Sequence, residues 1–260
     1  MDIKIKSDMY KIQKASLWKR FSAALLDFIV IMIIATGIMT IISYVVDYDS
    51  KYEEMESYYA EYEEKYGIDF EISQEDFEKL TKEEQDKYKE VSEIFSKDER
   101  VIKSINLVIN LILIMTSIGI LIAVIISEFI IPIILKNGQT IGKKCFAICV
   151  VKNNSVRINN ISLFVRTLIG KYTIEIMIPV YVLILLLFGN ANIIFLFLGI
   201  GILVFNLILI IFTQDNLTIH DIFAYTVVVD KSVQMIFENE EELVQFKKDL
   251  HAQEVKNKIY

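Results

Sequence analysis

The sequence predicts an all-α integral membrane protein: four transmembrane helices with a short cytoplasmic interfacial hairpin and an extracytoplasmic helical insert. Three features carry that expectation. Four long apolar stretches dominate the 260 residues. Mean hydropathy is +0.45 although the formal charge is −7. The charged residues fall in blocks between the apolar stretches instead of being interspersed with them. A soluble domain of this length can bury a core without near-continuous apolar windows of about 20 residues. The clearest such window, INLVINLILIMTSIGILIAVII from Ile105 to Ile126, is long enough to cross a bilayer.

The spans are expected near residues 20–46, 105–134, 173–188 and 191–212. The first apolar block begins at residue 17 and runs to Val46, too long for the core of a cleaved signal and without a small-residue cleavage pattern, so it reads as a retained helix. The third is short at 1.5 Å per residue, and tilts little, thins the bilayer locally or begins before Tyr172. GNAN, from Gly189 to Asn192, predicts a tight antiparallel return, with a re-entrant pair as the alternative. The chain therefore divides into an amino-terminal interfacial segment with the first span (1–46), an acidic insert (47–104) and a second span (105–135). A basic loop (136–172), the third and fourth spans (173–212) and a joint with a tail (213–260) complete it.

Charge sets the expected orientation. Lys11, Lys14, Lys19 and Arg20 precede the first span. Lys136, Lys143, Lys144, Lys152, Arg157, Arg166 and Lys171 lie between the second and third without an intervening Asp or Glu. Both regions, and with four spans the carboxyl terminus, are expected in the cytoplasm of a multi-pass cytoplasmic-membrane protein. Residues 47–100 hold twenty acidic and eight basic side chains, and are expected outside. Two helical patterns there, Tyr52–Gly67 and Ser73–Phe95, suggest a hairpin. Ser73 and Asp76 form a capping box, and Phe77, Leu80, Tyr88, Val91 and Ile94/Phe95 a partial apolar stripe.

In the basic loop, the alternation around CFAICVV points to a short strand or interfacial hairpin on a platform facing anionic headgroups. GQTIGKK lacks the spacing and the Ser or Thr of a phosphate loop. Cys145 and Cys149 read as small packed residues, since two ligands do not complete a metal site. No cofactor motif, nucleophile triad or nucleic-acid module is present, and the chain is not expected to be an enzyme.

The polar residues at the membrane boundary are the candidate site. Arg20 and Asp27 are seven residues apart, about two turns and 10.5 Å along one helix face. Each therefore needs its own partner. An ionised Asp27 exposed to lipid is costly, so it points into protein, with Arg166, Lys171 and Arg20 as candidate partners. Glu128 and Glu175 add carboxylates at similar depth. Asp221, in NLTIHDIFAYTVVV, folds back toward the basic loop, with His220 beside it and TVVV placed to pair with FAICVV.

WKRFSAALLD at 18–27, NGQTIGKKCFAICVV at 137–151, the following Arg166, and LTIHDIFAYTVVV at 217–229, in that order, resemble the RDD family of membrane proteins. Arg20, Asp27 and Asp221 fit the family's Arg-Asp-Asp pattern. The resemblance does not extend over 47–100 or the last thirty residues, and a fourth apolar span departs from it. It implies the architecture first. Since some members resemble cation/proton transport components, it also implies transport of a small solute, a monovalent cation or a proton; the residues themselves offer Arg20, Asp27, Glu128, Arg166, Glu175 and Asp221 as the polar network for it. The apolar spans make the lipid bilayer a partner, and since four spans alone make a small transporter, a second copy of the chain or another membrane protein is expected to complete the pathway. The rival reading is a non-transporting scaffold, sensor, protective or accessory subunit, for which the amphipathic tail with Leu243, Phe246, Leu250 and Val255 supplies a contact face.

Overall fold

A computed structural model describes residues 10–187 and 193–259. Four of its helices are long and apolar enough to cross a membrane: Leu17–Val45, Glu99–Ile134, Asn160–Leu186 and Ile193–Phe212. The shortest has 20 residues, which at 1.5 Å per residue matches the ~30 Å hydrocarbon core. The chain is an all-α protein with four membrane-spanning helices, and among the described residues there is one small two-stranded sheet. GNAN lies outside the described residues, as does Asn192 within it.

Helix α1 (Leu17–Val45) buries Ala23, Asp27, Ile31 and Ala35, one residue in every four, while Phe21, Leu25, Phe28 and Ile33 are exposed. That single narrow stripe is the face packed on protein. The other faces carry the apolar surface a bilayer solvates.

The chain forms two compact units, residues 37–118 and the remainder. In the former, α2 (Tyr48–Tyr66), α3 (Gln74–Lys79) and α4 (Lys82–Lys97) precede α5 (Glu99–Val124). Helix α2 stops at Gly67, whose φ of 62° admits the left-handed turn that returns its N–H to the Glu63 carbonyl. Ser73 accepts from the Asp76 N–H as the sequence implies, and Thr81 with Glu84 forms a full capping box ahead of α4. Of the expected stripe, Val91 and Phe95 are buried against Tyr62 and Ile68, whereas Ile94 is exposed. Edge-on packing of Tyr62 on Phe95 (5.0 Å) and the Tyr62 hydroxyl bond to Asp98 (3.0 Å) close this core.

In the other unit, the second spanning helix widens into a π-helical turn at Ile125–Ile130 before α6 (Ile131–Ile134). Helix α7 (Ile141–Cys145) leads to β1 (Ile148–Lys152). The third spanning helix begins at α8 (Asn160–Phe164), capped by Asn159, and passes through a π-helical stretch at Val165–Met177 into α9 (Ile178–Leu187). It starts ahead of Tyr172, so Arg166 and Lys171 lie on the helix itself. Its length resolves the apparent shortness of the third apolar run. After α10 (Ile193–Phe212) come α11 (Ile219–Ala224), β2 (Thr226–Asp230) and α12 (Glu240–Ile259).

Strands β1 and β2 pair antiparallel, with Val150 opposite Val228, which joins FAICVV to TVVV. Both faces are covered, as their continuous β-branched run requires. Ile148, Val150 and Val228 pack with Ala15, Ala23 and Leu163; Cys149, Val151, Val227 and Val229 form the opposite cluster. Burial in that cluster pushes the Cys149 thiol up to about 12, so it packs as a neutral apolar group. The tail is not a free contact face. Leu243 is buried with Val156 and Phe237, and Phe246 packs 5.2 Å from Phe237; of the stripe, Val255 is exposed.

Candidate functional site

Three carboxylate-centred clusters surround one cavity in the unit that holds the sheet. The first centres on Asp27. Its Oδ1 accepts from the Gly142 backbone N–H at 2.7 Å and its Oδ2 from the Thr140 hydroxyl. Glycine is required at 142 because a Cβ there would lie 2.2 Å from the Ala23 carbonyl oxygen and 2.9 Å from the Asp27 carboxylate. Helix α7 therefore rests directly on the backbone of α1. Its Lys143 is buried, with Nζ 3.3 Å from Glu128 Oε2 and 3.9 Å from Asp27 Oδ2. Burial draws the Lys143 ammonium below its ordinary pKa, against the opposing pull of Glu128.

Glu128 also accepts from Lys171, and Thr167 donates to the Glu128 backbone carbonyl at 2.9 Å. Both residues sit on π-helical segments, Glu128 on the first and Lys171 on the second. An added residue per turn weakens the regular i to i−4 ladder and turns side chains and carbonyls toward a neighbouring helix, the setting in which π segments recur at functional positions.

Asp221 is the centre of the second cluster and is fully buried. Arg20 reaches its Oδ2 at 3.1 Å and Arg166 its Oδ1 at 3.0 Å. The Thr218 hydroxyl and N–H also donate to Oδ2, at 2.7 and 3.1 Å, so the same carboxylate caps α11. Arg20 additionally donates to the Asn216 carbonyl. Burial would raise the Asp221 pKa, but Arg166 first and Arg20 with it outweigh burial and hold the carboxyl well below the usual range.

In the third cluster, the His220 Nδ1 lies 2.8 Å from Glu175 Oε2, while its backbone N–H donates to Oε1 at 3.0 Å. Gly170 lets the π-helical stretch approach, since a Cβ there would be 2.6 Å from the His220 Cα. Burial lowers the His220 pKa, with Glu175 opposing. The imidazole is neutral at pH 7, with Nδ1–H donating to the carboxylate.

The cavity has a volume of about 320 Å³. Its charged and titratable wall consists of Arg20, Asp27, Lys143, Arg166, Lys171 and His220; Leu17, Phe21, Leu207 and Ile210 contribute apolar wall. Glu128, Glu175 and Asp221 hold wall residues without lining the cavity themselves.

All six residues expected from the sequence thus take part, in separate clusters. Arg20 and Asp27 do use different partners. Those of Asp27, however, are Thr140, Gly142 and Lys143, not Arg20, Arg166 or Lys171. The signal for these partners lies in NGQTIGKK, where a Thr N-cap two residues ahead of a glycine marks a helix start able to receive a carboxylate. Asn206 accepts from the Ile219 N–H at 3.0 Å and ties α10 to α11. Asn106 and Asn110 are exposed on α5. Among the described residues no group of three or more His, Cys, Asp or Glu is placed to hold a metal ion.

The model of the RDD family matches residues 14–225, a range that includes every residue of these clusters. No curated protein and no solved structure matches the chain.

Proposed function

The chain belongs to the RDD family, and from that premise we propose that it is a transport component that exchanges a monovalent cation for a proton at Lys143. The observation that carries this reading is the buried ammonium held between Glu128 and Asp27 at 3.3 and 3.9 Å. A buried lysine whose charge is costly is a ready proton donor. When Lys143 releases its proton, the two carboxylates lose their shared counter-charge, and a small monovalent cation restores it. Net charge in the site is conserved across the exchange, which keeps the low-dielectric surroundings from opposing it. His220, which lines the cavity, and Glu175 behind it supply a second proton-holding pair.

The basic loop and both ends face the cytoplasm and residues 47–100 face outward, by the distribution of Lys and Arg near the spans. A second copy or another membrane protein completes a two-sided route, because four helices enclose little on their own.

The test is flux in sealed vesicles under opposed cation and proton gradients. Cation-driven proton movement is expected from the intact chain, with loss in Lys143→Met, Glu128→Gln and Asp27→Asn variants that insert normally. Absence of flux from the intact, folded chain would sink the proposal. Protease added outside right-side-out vesicles should cut 47–100; cutting from the cytoplasmic side alone would reverse the orientation.

A second reading draws on the saturation of the carboxylates. Asp27, Glu128 and Asp221 each meet a basic side chain and further donors, an arrangement suited to fixing helices in a scaffold, sensor or accessory subunit. No flux, together with stable recovery of a membrane partner, is the outcome expected of that role.

A further inference from the structure

Two asparagines stand within a membrane-spanning helix with nothing in the chain to bond to. Asn106 and Asn110 lie on α5 inside the apolar window 105–126, and both are exposed. Among the described residues neither side-chain amide meets a hydrogen-bond partner. At ~100° per residue they share one side of the helix with Leu107 and Ile114, 42 and 50% exposed, whereas the buried Val101, Ser104, Val108 and Met115 form the opposite side. The amides therefore point away from the packed face of α5. Hydrocarbon offers them no bond, and an amide left unpaired there is costly. Nor does the side chain reach water. Asn110 is seven residues past Lys103, about 10.5 Å along the helix, and asparagine lacks the long stem with which Lys and Arg snorkel.

From this arrangement we infer that the Asn106 and Asn110 face of α5 is the contact between two copies of the chain, each amide bonded to its own counterpart. The bias of Lys and Arg near the spans inserts every copy the same way round. Two copies are then related by an axis along the membrane normal, and equivalent residues meet at equal depth. A polar group on that contact must bond to itself. Asparagine does so, because its amide carries N–H donors and a carbonyl acceptor, whereas a carboxylate or an ammonium would meet its own charge. Within the window the face has no ionised residue to oppose the approach, and Lys103 at its outer end is ion-paired with Glu99 at 3.5 Å. The spacing of four residues sets the two amides one turn apart on one side, so the bond is repeated and fixes register as well as affinity. A different membrane protein would have to supply matching amides at both depths, which a second copy does by symmetry. Such a dimer provides the second copy that the two-sided route calls for, and it forms whether or not the chain exchanges ions.

The experiment is sedimentation equilibrium of the full chain in a density-matched neutral detergent, which returns the dimer dissociation constant. A monomer–dimer equilibrium is expected. Asn110→Leu should weaken it about ten-fold, the strength of an interhelical amide bond. Asn106→Leu combined with Asn110→Leu should leave only monomer over the same concentrations. Asn110→Gln keeps the amide and should stay within about three-fold of the intact chain. Leucine suits a lipid-facing position, so these variants should keep the circular dichroism and Tm of the intact chain. Ile114→Trp, which adds bulk one turn along the same face, should also weaken pairing, while Val204→Trp, the same bulk at an exposed position of α10, should leave it unchanged. An intact chain that is monomeric throughout would overturn the inference. So would a dimer that survives the double leucine substitution, or an assembly larger than two. Flux is read separately: a dimer without flux defeats the exchange proposal alone, and flux from a monomeric chain defeats the dimer contact alone.

Discussion

Asp27 on α1 accepts the backbone N–H of Gly142 at 2.7 Å, so a carboxylate within the first spanning helix seats a short helix 115 residues further along the chain. The contact joins electrostatics to sterics: the carboxylate reaches the amide only because position 142 has no Cβ. Substitution Gly142→Ala places a methyl 2.2 Å from the Ala23 carbonyl. The expected loss is about 3 kcal/mol, the upper end of the usual overpacking range. Thermal unfolding in detergent, followed at Trp18, should show a clear fall in Tm. An unchanged Tm would mean that α7 does not rest on α1.

Asp221→Asn removes the charge that Arg20 and Arg166 share and leaves two buried guanidiniums side by side. A loss of about 3–5 kcal/mol is expected for a buried pair broken from one side. Adding Arg20→Gln to Asp221→Asn should cost less than the two separate losses combined, because the uncompensated charge is removed as well. Strict additivity would show that the two residues do not interact.

His220, held below the ordinary imidazole pKa by burial, should remain neutral as pH falls through about 6.5. The unfolded chain takes up the proton first, so this residue's contribution to stability declines as pH falls from the ordinary imidazole value toward the lowered folded one. Imidazole ¹⁵N shifts should report the Nδ1–H tautomer at pH 7. A His220→Asn variant should lose that part of the pH slope; a charged ring at pH 7 would contradict the assignment.

At the head of α5, hydrogen bonds from Arg100 hold Asp98 at about 2, below its ordinary carboxyl value. A depressed carboxyl stabilises the fold above the unfolded pKa near 3.9 and loses that contribution as pH falls toward 2. Hydrogen exchange in the 37–118 unit should therefore accelerate over this window, and less so in Asp98→Asn. Equal acid sensitivity in the two chains would separate Asp98 from the stability of that unit.

Much of the architecture is written in local pattern. The apolar runs mark the spans because bilayer thickness imposes a length that few soluble elements need. TVVV and CFAICVV announce strands by their β-branched residues, and the seven-residue spacing of Arg20 and Asp27 shows that they cannot pair with each other. The extent of the third span was less legible, since Arg166, Lys171 and Glu175 make its first half look like a loop. The structure accommodates them in a helix by turning each onto a partner. The tail's apolar stripe read equally well as a face for another protein, and only packing against Val156 and Phe237 assigns it to the chain itself.

By itself the sequence determined a four-span membrane protein of this family and singled out six charged residues as a candidate polar network, because hydropathy and helical spacing are properties of neighbouring residues. The tertiary structure alone decided their partners. Asp27 meets Thr140, Gly142 and Lys143, Asp221 meets Arg20 and Arg166, and Glu175 meets His220. Those contacts depend on close approaches at Gly142 and Gly170 and on two π-helical segments that re-aim side chains. Each is a three-dimensional fit between segments distant in the chain, which local pattern does not encode.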